Sequence, residues 1–482
     1  MSQTGLTTLW TAKDAAAATG GTTWGAWTAN GVSIDSRSVA KGDLFVALQG
    51  PNFDGHDYVK QALEKGASAA LVHRAMPDCD SYHDRLLVVK DTFLALQNLA
   101  TAARARTEAR IIAVTGSVGK TGTKEALKLG LSILGKTHAS EGNLNNHWGV
   151  PLSLARMPAD TKFGIFELGM NHAGEIAPLS KLVRPHAAII TAVEAVHLEF
   201  FKSVAEIADE KAAIMAGLEP GGTVILPRDN PHYARLSAAV ATYKVENVVP
   251  FGTAGDSKAS LVAWSLTPDG TQVAAEFEGR RIMYDMIVSG RHWALNSIAA
   301  LAAVHAIGAD YRLAAGALAK LAAPVGRGAR TRVTIDGGAF VVIDESYNAS
   351  PAAVRVLAET LAQMHQPVGG TRGGRLIMVL GDMLELGAAA PALHADLAES
   401  FKLADIHLVF TAGTLMKNLY DALPAAMRGG HAPDSKALAP MVIDAVRAGD
   451  VVAVKGSHSS HMDVVVDALR ALKPIPKVAN GN

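Results

Sequence analysis

Thr115-Gly116-Ser117-Val118-Gly119-Lys120-Thr121 holds the residue types that grip a polyphosphate. Glycines let backbone N–H groups approach phosphate oxygens, and a helix that starts at once adds its positive end. In that chemistry Gly116, Ser117 and Gly119 form the cradle and Lys120 reaches the β/γ-phosphates, while the Thr121 hydroxyl ligates Mg²⁺. The strict loop carries a glycine where Val114 stands, so this is a shortened variant. Its setting gives it weight. The apolar run Ile111–Val114 precedes it, and Leu127, Leu131 and Leu134 recur on one helical face after it.

Other polar groups sit at the ends of apolar runs. Glu167 ends Ile165-Phe166-Glu167, and a carboxylate in such a place is either solvated at a sheet edge or paired with a cation. Beside a phosphate loop, Mg²⁺ is the expected partner. Asp344 ends Val341-Val342-Ile343 and leads into Glu345-Ser346-Tyr347-Asn348, where Ser350 can also cap a helix starting at Pro351. Lys455-Gly456-Ser457 follows Val451–Val454 and could hold a carboxylate or phosphate, or simply turn the chain. His197 and Lys211 are not singled out by spacing. His458 and His461 have no matching ligand set for zinc, so they read as polar residues near a helix start.

Three stretches that alternate apolar runs with helical periods must position these groups. In the first, Val32–Ile34, Leu44–Ala47, Ala69–Val72 and Leu86–Val89 read as strands, with helices over Val59–Gly66 and Thr92–Arg106. The second opens at Ile111 and adds strands at Ile165–Leu168 and Ala188–Thr191 and a helix over Val204–Leu218. It turns β-rich between Thr223 and Val288, with a turn at Pro268-Asp269-Gly270, and closes on a helix over Trp293–Ile307. The third alternates Val341–Asp344, Leu376–Leu380, Ile406–Phe410 and Val451–Val454 with helices, the pattern of a doubly wound parallel sheet, and Gly369–Gly374 reads as a loop. The expected class is α/β in three domains: residues 1–107, 108–324 with the phosphate loop, and 325–482 with a Rossmann-like sheet.

Composition narrows the partners. The 482 residues carry 45 Lys plus Arg and 45 Asp plus Glu, so no basic excess points to nucleic acid. Cys79 is a lone cysteine and can form no internal disulfide, which fits a cytoplasmic protein. Residues 1–21 show no basic segment leading into an apolar block, so no secretory leader is expected. No stretch reaches the roughly 18 apolar residues of a membrane span.

Further stretches complete a pattern. They are Asp35-Ser36-Arg37, Gly42–Ala47, Asn52-Phe53-Asp54-Gly55-His56-Asp57, Gly142-Asn143-Leu144-Asn145-Asn146, Glu167–His172, Asp344–Ala349, Gly381-Asp382-Met383-Leu384-Glu385-Leu386-Gly387 and Val454–Ser457. Together with the shortened loop, the chain resembles the Mur ligases, ATP-dependent amide-forming enzymes of peptidoglycan assembly. The resemblance runs nearly end to end, in order. It implies that the first domain holds the UDP end of a sugar nucleotide through Ser36, Arg37, Phe53 and His56. Lys120 and Thr121 match the phosphate-loop lysine and a Mg²⁺ ligand, Glu167 the Mg²⁺ carboxylate and His197 a second-metal ligand. Lys211 matches a lysine that relatives carry as a carbamate. Asn143, Asn145 and Asn146 match substrate contacts, Asn296 an adenine-side asparagine, and Arg327 and Asp344 nucleotide contacts. Tyr347 and Asn348 belong to the motif of the dipeptide-adding branch, and Lys455 is a candidate for its carboxylate.

That branch implies UDP-N-acetylmuramoyl-tripeptide and D-alanyl-D-alanine as partners, ATP and Mg²⁺ as cofactors, and a monomer. The alternatives are the ligase adding the third amino acid and a folylpolyglutamate-synthase-like enzyme. The former carries an Asp-Tyr-Ala-His run and an Asp-Asn-Pro-Arg motif; here Glu345–Ala349 differs, and Asp229-Asn230-Pro231 is followed by His232 in the second domain. Two departures from the pattern stand out. Phe200-Phe201-Lys202 follow His197-Leu198-Glu199 where a glycine is usual, and His458 follows Ser457 where Arg or Asn is usual.

Overall fold

The computed structural model describes residues 7–267, 270–364 and 374–473. The turn expected at Pro268-Asp269 and most of the loop expected at Gly369–Gly374 lie outside those residues. Three main sheets follow one another along the chain. The first has the order Thr22–Thr23, Leu86–Val88, Ala69–Val72, Asp43–Val46, Gly31–Ser33, parallel but for its first pair. A short antiparallel pair, Trp10–Thr11 with Thr28–Ala29, lies beside it.

The nine-stranded second sheet carries the phosphate loop. Strand Arg110–Thr115 lies between Ala187–Ile190 and Phe163–Glu167, all parallel, with Thr137–Ala139 at the edge. On the other side come Thr223–Pro227, Asn247–Gly252 and Ala259–Thr267, then the antiparallel strands Gly270–Phe277 and Arg280–Met286. Successive side chains of a strand point to opposite faces, so both faces here must be covered. Ile112 and Val114 pack with Leu127 and Leu131 of helix Lys120–Ser132 and with Ile298 and Leu301 of helix Arg291–Ala306. Ile111 and Ala113 pack on the other side with Ile176, Ile207 and Ile214. The helix expected over Val204–Leu218 ends its α-helical part at Ala212 and finishes as a 3-10 turn through Gly217.

The third sheet has the order Ala329–Ile335, Gly338–Glu345, Val451–Lys455, Leu376–Gly381, Leu408–Ala412, Arg428–Ala432. Only its first pair is antiparallel. The expected strand Ile406–Phe410 begins two residues later, at Leu408, because Asp405 takes a left-handed turn and Ile406 packs into the helical layer.

The first sheet is anchored to the second. Leu152 and Ala155 of helix Gly149–Ala155 join its core with Leu44, Val46 and Leu71. Trp10 Nε1 donates to the Ala155 carbonyl at 2.9 Å, and Arg156 Nε donates to the Val32 carbonyl at 2.7 Å. No described helix is long and apolar enough to cross a membrane.

Candidate active site

Polar groups gather at the carboxyl ends of the parallel strands, the usual ligand crevice of such sheets. Strand Arg110–Thr115 ends in the loop, and helix Lys120–Ser132 starts at Lys120 with Gly119 as its N-cap. Gly116 and Gly119 take φ of 150° and 88°. A Cβ on Gly116 would run into Thr191 Oγ1, and one on Gly119 would meet Asn296 Nδ2 at 2.7 Å. Glycine is thus required twice, and Asn296 is brought against the loop. Thr191 Oγ1 donates to the Val118 carbonyl, while Ser117 and Glu194 exchange hydrogen bonds of 2.9 and 3.1 Å. Lys120 Nζ folds back onto the Gly116 carbonyl at 2.6 Å.

Glu167 is only 2% exposed. It accepts hydrogen bonds from the Thr121 hydroxyl at 3.0 Å and from Asn145 Nδ2 at 2.8 Å. A buried carboxylate held by two neutral donors suits a hard divalent cation. Among the described residues no group of three or more His, Cys, Asp or Glu forms a cage for a metal. Mg²⁺ does not need one, since it is commonly held by one or two carboxylates plus phosphate oxygens. The residues therefore fit the ion.

Lys211 is 2% exposed and turned inward by neighbours that fix its helix. Glu210 accepts from the Gly174 and Ile176 N–H groups, both at 2.7 Å, and Asp209 holds Arg235 through paired bonds of 2.5 and 2.6 Å. Burial, then the like charge of Lys120, hold the Lys211 ammonium well below its usual range, against the pull of Glu210. Lys120 is lowered too, by burial first, with Arg327 acting the same way and Glu167 opposing. His197 lies in the same field: burial lowers it, Glu385 opposes, and Lys120 and Lys211 act with burial. Lys120, Lys211 and His197 thus share one buried electrostatic field, with Glu167 beside Lys120.

The remaining candidates fall into two groups around this centre. Asn145 touches Glu167, and its loop runs on through Trp148, whose ring meets Phe53 edge-on at 5.8 Å. Asn143 lies exposed in the same loop. Asn146 instead accepts from the Trp148 and Gly149 N–H groups at the start of helix Gly149–Ala155. Arg37 projects into solvent paired with Asp35, and Ser36 is buried with its carbonyl on Lys65. His56 is 1% exposed and both its nitrogens are taken, Nδ1 by Asp54 and Nε2 by the His73 N–H. Its side chain therefore braces the loop and offers no free donor.

On the third sheet, Asp344 is buried and accepts from Ser346 and pairs with Arg470. Arg327 lies over the Tyr347 ring at 4.0 Å, and Tyr347 faces His458 at 5.5 Å. Asn348 Oδ1 accepts from the Ala349 N–H, and Lys455 is paired with Glu345 at 3.1 Å. The turn after His197 closes without a glycine: Phe200 N–H donates to the His197 carbonyl at 2.9 Å and Phe201 is buried.

This arrangement has known counterparts. The Mur ligase middle domain matches residues 114–304, the Mur ligase glutamate ligase domain residues 329–458, and the Mur ligase family catalytic domain residues 28–104. The chain belongs to the Mur ligase family. This Mur ligase is 35% identical, over 92% of its length and 94% of the relative's, to the UDP-N-acetylmuramoyl-tripeptide–D-alanyl-D-alanine ligase of Escherichia coli. The enzyme of the same name from Bacillus subtilis is 32% identical over 91% of this chain and 93% of its own. A crystal structure of MurF from Acinetobacter baumannii superposes with a TM-score of 0.82 at 28% identity, covering 96% of this chain and 98% of that one. MurF from Thermotoga maritima in complex with ADP gives 0.76 at 26%, covering 91% and 97%. A UDP-N-acetylmuramoyl-L-alanyl-D-glutamate–2,6-diaminopimelate ligase shares the fold alone, at 0.51 and 16% identity over 92% of this chain and 95% of its own.

Three residues of this Mur ligase that spacing did not raise also hold the site together. Lys124 is fully buried and donates to the Gly142 carbonyl at 3.0 Å, tying the phosphate helix to the asparagine loop. It lies four residues after Lys120, one helical turn on, which was the available signal. Thr191 and Glu385 carried no such signal, because their partners are distant in sequence.

Proposed function

We propose that this Mur ligase joins D-alanyl-D-alanine to UDP-N-acetylmuramoyl-tripeptide at the expense of ATP, through an acyl phosphate. One observation carries the reading. Asn145 links the phosphate-binding centre to a loop that continues to Trp148 and Phe53 of the N-terminal layer. A long donor anchored at its UDP end near Ser36, Arg37 and Phe53 thereby brings its far carboxylate to Lys120. Residues 1–107 then serve the UDP end, 108–324 ATP and 325–482 the dipeptide, and the lone Cys79 fits a cytoplasmic setting.

A carboxylate oxygen of the donor attacks the γ-phosphorus, and ADP leaves. Lys120, released from the Gly116 carbonyl, follows the phosphate oxygens, and the loop N–H groups receive their charge. Thr121 and Glu167 would hold Mg²⁺, and His197 with a carbamylated Lys211 a second ion, which together would add to the neutralisation of those oxygens. Asn296, set against Gly119 of the loop, would take the base side of the nucleotide, and Arg327 and Asp344 its contacts toward the third sheet. The dipeptide amine then adds to the acyl carbonyl and inorganic phosphate departs. Lys455, exchanging Glu345 for the ligand, receives the dipeptide carboxylate, with Tyr347 and Asn348 beside it; the Ser457 N–H is taken by the Asp382 carbonyl. Burial of the centre keeps water from the acyl phosphate.

Oxygen bookkeeping tests this route. A donor labelled with ¹⁸O in its terminal carboxylate should pass one labelled oxygen to inorganic phosphate for each amide formed, read by mass spectrometry. Label released as water, or found in AMP, would exclude the acyl phosphate.

A further inference from the structure

Two turns meet across the junction of the second and third sheets, and both are bent in the left-handed region. His197 has a φ of 55° and Glu385, in the loop after strand Leu376–Gly381, a φ of 61°. Residues with a side chain seldom adopt that conformation, and such outliers concentrate where surrounding structure holds them for a purpose. The two residues are 188 positions apart. Glu385 grips the opposite turn twice. Its carboxylate accepts from His197 Nδ1, and its carbonyl accepts from the Glu199 N–H at 3.2 Å. Gly387, itself at φ 59°, lies so near that a Cβ there would stand 3.5 Å from Glu199 Cα.

A half-exposed ion pair alone contributes little. Here the side-chain bond is accompanied by a main-chain bond from the same residue to Glu199, so the turn that carries the ring is held at two points. A carboxylate that accepts Nδ1–H fixes the tautomer of a histidine and leaves its Nε2 lone pair for a metal. Building on the ligase reading, we propose that Glu385 is a positioning residue. It holds His197 in the tautomer whose Nε2 is free for the nucleotide-bound metal ion, so that His197 becomes a competent ligand only with the C-terminal domain docked. Glu385 itself touches neither substrate nor metal. The loop Gly381–Gly387 would then couple domain closure to assembly of the metal site.

The test uses Mn²⁺ as the probe, titrated into the full-length protein at saturating ADP and followed by electron paramagnetic resonance. His197→Ala sets the reference loss of bound Mn²⁺. Glu385→Ala should reproduce most of that loss, a weakening of about tenfold or more. Glu385→Gln, which still accepts from Nδ1, should stay within about threefold of wild type, the size of a lost charge on an exposed hydrogen bond. The double variant should bind no more weakly than His197→Ala. If Glu385→Ala loses its cooperative melting transition, Glu385→Met keeps the side-chain bulk without the acceptor and should show the same loss. Wild-type Mn²⁺ binding in the acceptor-less variant, no loss in His197→Ala, or additive losses in the double variant would each overturn the assignment. The titration needs neither acyl donor nor amine. Failure of the wild type to form an amide would count against the ligase reading and leave this result standing.

Discussion

Lys120→Ala is expected to lower amide formation by about a thousandfold or more at saturating ATP. Phosphoryl transfer asks little of a protein beyond positioning and charge neutralisation, and a single preorganised donor removed from such a centre costs about 10²–10³ in rate. Lys120 supplies a full charge as well as the donor. It is the first residue of its helix, and Gly119, not Lys120, is the cap, so the substitution should leave the fold in place. Its Nζ rests on the Gly116 carbonyl, a neutral partner that a phosphate readily displaces. Phosphate release with donor and amine, alongside a melting curve, is the measurement. Turnover near wild type in a folded variant would remove Lys120 from the reaction.

Lys211→Ala should also cost most of the activity, about a hundredfold or more, as loss of an oxygen ligand does at a metal site. An ammonium at this position is poorly placed, because it is buried and faces Lys120. Both influences favour the neutral amine, which is the form that adds CO₂ with loss of a proton. The product reverses the electrostatics: an anion now faces the Lys120 cation, and its oxygens are hard donors for Mg²⁺. After incubation with ¹³C-bicarbonate the wild type should show a carbamate resonance that Lys211→Ala lacks. Short carboxylic acids should restore part of the variant's activity by filling the space. A wild type that takes up no label, and works equally well after thorough CO₂ removal, would contradict the carbamate.

The sequence made the local features legible and left the long-range ones hidden. Ala69–Val72 is a continuous apolar run, and the strand falls on those four residues. The phosphate loop announced itself because a strand, two glycines, a lysine and an amphipathic helix follow in order within one segment. The strand Arg428–Ala432 went unseen: its Gly429-Gly430 pair lacks the side chains that mark β-structure, and it survives as an edge strand against Phe410. Among the site residues, His56 and Asn146 sit in telling motifs, yet their side chains are spent on bracing and capping. The local signal, an acidic or amide side chain two or three residues from the group it bonds, was present for both. Glu385 had none. Its partner His197 becomes a neighbour only when the second and third sheets come together.

The amine preference tests the central claim most directly. With UDP-N-acetylmuramoyl-tripeptide as donor, phosphate release is measured with D-alanyl-D-alanine and with D-alanine in turn. The shorter amine cannot place its carboxylate at the same distance, and a site shaped to hold a carboxylate discriminates against a ligand that leaves its polar groups unsatisfied. The expected result is a kcat/KM for the dipeptide at least about a hundredfold higher, the scale of discrimination between a satisfied and an unsatisfied polar site. Equal rates with the two amines, or reaction only with a shorter donor and a diamino acid, would contradict it.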